Sequence, residues 1–123
     1  MEHLTWVEYM ASNRNPSEKE KQIISYLVAK AHYEKAYWDI DLKVADMLDG
    51  MGSLLLIPKG LLNKKRLFKS QISEVFFKDV DGIDIVVSLN VDQDDFLFEL
   101  DIWKMNYGNI ISFENLFKII EDS

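Results

Sequence analysis

The residues best equipped for chemistry in this 123-residue chain are carboxylates, and most of them lie in one stretch. Asp79-x-Asp81 and Asp92-x-Asp94-Asp95 offer hard oxygen atoms of the kind that Ca²⁺ and Mg²⁺ take. Glu99 and Asp101, two residues apart, share one face of any strand, a placement open to paired acid–base work. Each group also has a plainer reading. The DxDxDG pattern of an EF-hand loop is missing and no Glu stands at its twelfth position, while both Asp clusters have turn composition, where short acidic side chains accept backbone N–H groups. Glu99 and Asp101 alternate with Leu100 and Ile102 and so share their face with Leu97 and Trp103, as on a solvated strand face with a tryptophan covering its end. Turns and an outer face are the preferred readings, and no catalytic residue, metal or cofactor is expected.

Other chemistries find less support. His3 and His32 are the only histidines, one near the N-terminus and one at a helix end, where an imidazolium suits the helix dipole. A G-x-S-x-G elbow is absent around Gly52-Ser53, and glycine-rich phosphate loops are absent throughout. The chain has no cysteine, which excludes disulfides, thiolate nucleophiles and Cys-based zinc sites. Lys64, Lys65, Arg66 and Phe68 combine bases with an aromatic ring, as single-strand binders do. A net charge of −7 and an isoelectric point near 4.7 oppose a general affinity for nucleic acid or anionic membrane.

The charge is unevenly spread. Asp79, Asp81, Asp84, Asp92, Asp94, Asp95, Glu99 and Asp101 fall between residues 79 and 103, with no Lys or Arg among them. Residues 59–78 carry Lys59, Lys64, Lys65, Arg66, Lys69 and Lys78 against the single acid Glu74. This predicts an acidic surface, with Asp92, Asp94, Asp95, Glu99, Asp101 and Trp103 as candidate contacts for a basic protein partner.

The elements that must carry these residues are legible in outline. The length suits one domain able to bury its own core, and the 48% hydrophobic content suits a globular chain. No apolar run is long enough to span a bilayer, and the first residues lack the pattern of a signal peptide, so a cytoplasmic protein is expected. Residues 1–15 read as an arm, either packed through Trp6 or partly disordered, ahead of a single α+β domain over 16–123. Ser17 and Glu20 have capping-box spacing and open a helix to about Tyr33, with Ile24, Leu27, Val28 and Ala31 facing the sheet. Strands follow over Asp39–Val44, with Ile40, Leu42 and Val44 inward, and over Ser53–Ile57, apolar on both faces. Gly50 and Gly52 in the turn between them call for positive φ. Leu61–Lys69 reads as a loop or a short helical turn and Gln71–Lys78 as a strand. Asp79–Lys104 reads as a β-hairpin with Ile83, Ile85, Val87, Leu89 and Val91 on one face, then Phe96, Phe98, Leu100 and Ile102. A short helix over Glu114–Glu121, capped by Ser112 or Asn115, closes the chain. The expectation is a five-stranded antiparallel meander with an N-terminal helix and a short C-terminal helix on it.

Met51-Gly52-Ser53-Leu54, Asp79-Val80-Asp81-Gly82, Leu89-Asn90-Val91-Asp92 and Phe98-Glu99-Leu100-Asp101-Ile102-Trp103-Lys104 occur in that order. Together they resemble a family of small bacterial domains of unknown function that begin with a capped helix and end in an ELDxWK strand. The likeness covers roughly residues 15 to 110. It implies a glycine just before the Phe96–Phe98 strand, where this chain has Asp94-Asp95, and it implies no activity. In size and charge the chain also resembles the immunity proteins that neutralise secreted toxins, an analogy of general character.

A binding or regulatory protein of the immunity type is therefore the leading expectation. A small metal- or ligand-dependent enzyme using Asp79, Asp81, Glu99 and Asp101 is the second. A structural homodimer joined at an exposed sheet edge is the third.

Overall fold

A computed structural model describes residues 11–123. Among the described residues, these elements follow one another: helix α1 (Glu18–Lys30), strands β1 (Lys43–Asp46), β2 (Leu54–Ile57), β3 (Phe68–Lys78), β4 (Asp84–Asp92) and β5 (Leu97–Lys104), and helix α2 (Glu114–Glu121). The class is α+β, with one antiparallel five-stranded sheet and a helix at each end of the chain order.

Helix α1 starts where its caps dictate. Ser17 Oγ accepts the Glu20 N–H at 3.1 Å, and Glu20 Oε1 accepts the Ser17 N–H at 2.8 Å, closing the box in both directions. Its stripe of Ile23, Ile24, Leu27 and Val28 is buried. It ends three residues earlier than expected, in a Schellman motif: Tyr33 N–H donates to Val28 O and His32 N–H to Ala29 O. His32 occupies the position where glycine is usual, with φ +53°. Its role there is structural, as expected for a residue at a helix end.

The strand expected over Asp39–Val44 is shifted to Lys43–Asp46. Tyr37 and Asp41 have φ +65° and +55°, which interrupts extended backbone, and Ile40 is left exposed while Leu42 and Val44 are buried. The Asp49–Gly52 turn matches its glycines: Gly50 and Gly52 have φ +72° and +93°. All four residues of β2 are buried.

The sheet order is β1-β2-β5-β4-β3, so it is not one meander. Each of the runs β1–β2 and β3–β4–β5 is a meander, but β5 inserts beside β2 and sends β3 to the far edge. Side-chain chemistry favours this order. Strand β2 is apolar on both faces and takes neighbours on both sides, whereas β3 carries Lys69, Gln71, Glu74 and Lys78 and suits an edge. The β3 pairing is also broken by register shifts near Phe68 and Gln71, a common feature of edges.

The main core lies between the helices and one face of the sheet. It joins Ile24, Leu27 and Leu116 to Val44, Leu54, Leu56, Val75, Phe77, Ile85, Val87, Leu89, Leu97, Leu100 and Ile102. A smaller cluster, Ala45, Leu55, Ile57 and Phe98, forms separately. Strict alternation had placed Phe98 with Leu100 and Leu97 with Glu99. A register shift between Asn90 and Val91 pairs Val91 with Leu97 and Asn90 with Glu99, so Phe98 is skipped and the phase changes there.

The β4–β5 turn shows how an acidic sequence replaces a glycine. Asp95 adopts φ +65°, the left-handed region in which Asp is one of the tolerated residues. Asp92 Oδ1 accepts the N–H groups of Asp94 at 2.8 Å and Phe96 at 3.0 Å. Tyr33 Oη donates to Asp95 O at 2.6 Å and ties the end of α1 to this turn. Trp6 and Thr5 lie outside the described residues, as does His3. Just after them, Arg14 pairs with Val44 as an isolated antiparallel bridge beside β1.

Left-handed backbone at Asp95 should show in paired substitutions. Asp95→Gly is expected to unfold later in urea than Asp95→Val, by about 1–2 kcal/mol, because only the second adds a β-branched side chain to that conformation. Equal stabilities would contradict the assigned turn.

Candidate functional site

Most of the acids in residues 79–103 are neutralised by bases from elsewhere in the chain. Asp79 is the most deeply engaged. Its Oδ2 accepts from Lys104 Nζ at 2.9 Å and from the Ile111 N–H at 2.8 Å, and its Oδ1 from the N–H groups of Val80 and Ser112 at 2.7 and 3.1 Å. Lys104 Nζ also donates to Asp81 Oδ2 at 2.6 Å and to Asn109 O at 3.0 Å. The Lys104 and Asp79 side chains are 2% and 0% exposed, so this is an interior cluster. Burial opposes ionisation of Asp79, but the Ile111 N–H, the Lys104 ammonium and the other two N–H donors outweigh it and hold its pKa at about 2.

A second buried pair closes the other end of β4. Arg66 Nη1 donates to Asp92 Oδ2 at 3.1 Å and to Leu97 O at 2.9 Å, and Nη2 donates to Leu56 O. Its guanidinium carbon lies 5.0 Å from the Phe98 ring centroid. One side chain thus links β2, β4 and β5 and pins the segment that carries the chain from β2 to the far edge. Arg66 is therefore removed from any single-strand-binding surface, although Lys64, Lys65 and Phe68 remain exposed.

Asp92 is likewise removed from the expected docking surface, since it is fully buried against Arg66. Asp94 is exposed at the turn, and exposed Asp95 pairs with Lys69 at 2.7 Å. Asp84 pairs with Lys78 at 2.9 Å. Asp79 and Asp81 point into the Lys104 cluster at the end of the hairpin, while Glu99 and Asp101 stand on the strand face opposite Lys104. These four acids do not converge, and among the described residues no group of three His, Asp or Glu is placed to hold a metal ion.

Glu99, Asp101 and Trp103 do belong together. Strand pairing sets Glu74, Ser88 and Asp101 side by side across β3, β4 and β5, with Phe76, Val86 and Trp103 as the next row. Buried Asn90 donates to Asp101 Oδ2 at 2.9 Å. Burial pushes both carboxyls up, with Asp101 adding to the effect on Glu99 and Asp49 to that on Asp101. Phe76 is 50% exposed, and Trp103, 38% exposed, lies 5.4 Å from the Tyr107 ring. Sequence reasoning found the acids and Trp103 but missed Phe76 and Tyr107. Only the cross-strand register reveals Phe76, and Tyr107 reaches Trp103 through a turn in which it adopts φ +61°.

A family profile described as a domain of unknown function (DUF6984) matches residues 13–114. The chain belongs to that family. The family segment contains both buried ion pairs and the Glu99–Asp101–Trp103 face, and it stops at the first residue of α2. No curated protein and no solved structure matches the chain. Among the described residues, no helix is long and apolar enough to cross a membrane.

Two further polar side chains of the family segment, Ser53 and Arg14, tie elements of the fold together. Ser53, adjacent to Gly52, exchanges hydrogen bonds with the backbone of Ile102, donating to its carbonyl at 3.2 Å and accepting its N–H at 2.9 Å. The hydroxyl extends the β2–β5 ladder and is committed there. Arg14 similarly joins Glu20 of α1 and Asp46 of β1, both at 2.7 Å.

Two measurements separate these roles. Asp79 contributes stability in full above its ordinary pKa of 3.8, and that contribution is lost as pH falls towards 2; Asp79→Ala should cost about 3–5 kcal/mol at pH 7 and flatten this acid limb. An acid limb of unchanged steepness in the variant would contradict the assignment. Glu99 and Asp101 have the opposite sign, because a raised native pKa means stability is gained as pH falls through it. Glu99→Gln should therefore raise the melting temperature at pH 7 by a few degrees and leave it unchanged at pH 3.

Proposed function

We propose that the protein is a binding or regulatory protein of the immunity type, without catalysis of its own, that docks a basic protein partner on the face formed by Glu99, Asp101 and Trp103. The supporting observation is the pair of adjacent rows Glu74–Ser88–Asp101 and Phe76–Val86–Trp103, carboxylates beside exposed aromatic rings. Exposed Trp and Tyr are the residues that most often anchor protein interfaces, and a neighbouring carboxylate orients a Lys or Arg over their rings. The compensated acids narrow the surface. Asp79 and Asp92 are buried and exposed Asp81 is held by Lys104, so charge complementarity falls to Glu99 and Asp101, with Asp94 exposed at the turn. Complementarity of this kind speeds encounter and selects partners.

The reading is tested on protein purified gently at low salt from its own host, followed by native mass spectrometry. A stoichiometric protein partner of basic character, released as salt is raised and lost in Trp103→Ala and Asp101→Lys, supports it. A partner retained in full by both variants would place the interface elsewhere and overturn the assigned surface.

A further inference from the structure

We infer that the wedge between α1 and α2 binds a small apolar carboxylate, at a site separate from the proposed docking face. The wedge forms a half-open groove of about 720 Å³, within the volume range of small-molecule sites. Its accessible apolar lining comes from Ile111, Phe113 and Phe117, above the buried side chains of Ile23, Leu100 and Ile102. The helices do not close over β5 here because α2 is only two turns long and its approach is set by Asp79 holding the Ile111 and Ser112 amides. Gly52, with φ +93°, lines one end beside Ile102.

The head-group preference follows from which charges on the rim are already taken. Glu20 is held by Arg14 at 2.7 Å, and Glu114 faces Lys118 at 3.5 Å. Lys19 Nζ lies 5.4 Å from the Phe117 ring centroid and has no carboxylate partner among the described residues. It is a cation poised over the apolar floor, and the Gln22 amide on the same rim supplies further donors. The one acid in the lining without a basic partner among the described residues, Glu121, belongs to the last turn of α2. A molecule with an apolar body against Ile102 and Phe117 and a carboxylate at Lys19 matches both features. A cation near low-dielectric walls binds such a head group more strongly than one surrounded by water.

Calorimetric titration of the full chain with decanoate, decanol and decylammonium, each below its aggregation threshold, tests this. One-to-one binding of decanoate in preference to decylammonium is expected. Lys19→Gln should weaken decanoate roughly tenfold or more while leaving decanol unchanged. Lys21→Gln, which removes a cation engaged with Glu18 on the same helix, should leave decanoate binding intact. Gln22→Trp, at an exposed position that folding tolerates, should obstruct the wedge and weaken both ligands. Absence of decanoate binding overturns the site. Equal binding of decylammonium, or decanoate binding insensitive to Lys19→Gln, overturns the head-group assignment.

Discussion

The carboxylate of Asp79 is the interaction on which the rest of this structure leans. It sits just ahead of the turn into β4, receives the ammonium of Lys104 at the end of β5, and receives the amides of Ile111 and Ser112 on the way to α2. Three segments distant in sequence thus share one acceptor. Taking such a group from water is costly, and that cost is offset only when every lone pair is used. Asp79 meets this condition with four donors. The Arg66–Asp92 pair stands at the opposite end of β4, where both Arg66 Nη atoms are hydrogen-bonded and the buried Nε has no partner among the described residues, so β4 is held at both ends by buried ions. Because removing either partner leaves an uncompensated interior charge, these pairs select one arrangement of the hairpin against its alternatives more than they add to stability.

The same pairs explain why charge along the sequence misrepresents charge on the surface. Residues 79–103 contain eight acids and no base, yet the bases that answer them arrive from Arg66, Lys69, Lys78 and Lys104 through the fold. What remains without a basic partner among the described residues is Asp94, exposed at the turn, and half-buried Glu99 and Asp101 beside Trp103, with Phe76 and Tyr107 brought alongside. A partner that reads this face meets rings first and charge second. The wedge between the helices has the reverse character, a mostly apolar floor with one unpaired cation at its lip.

Local rules read well where local chemistry decides. The Ser17–Glu20 box, the buried stripe of α1, the glycines at 50 and 52, the fully buried β2 and the alternation in β4 were all legible, as was the α+β class. The missed features depend on partners far away in sequence. Nothing near β2 announces that β5 will lie beside it, so a single meander was expected where two lie side by side. The shift at Asn90–Val91 moves Phe98 out of phase by one residue, which alternation cannot see. Asp79 and Asp92 looked like turn residues or metal ligands, and the turn reading was right for both. Their second role, as the buried halves of ion pairs, requires knowing where Lys104 and Arg66 go. Of the candidate site, Glu99, Asp101 and Trp103 could be named in advance because a strand repeats every two residues. Phe76 and the wedge could not, since each is made by elements that meet only in the folded chain.

Native-state hydrogen exchange at the Ile111 and Ser112 amides tests the central role of Asp79 most directly. Both residues lie in irregular backbone, and Ile111 is largely exposed, so ordinary loop behaviour would be fast exchange. If Asp79 anchors this junction, both amides should exchange as slowly as the core of β4 in the native protein. In Asp79→Asn they should lose that protection together with α2, while α1 retains its own. Rapid exchange at Ile111 and Ser112 in the native protein would contradict the account.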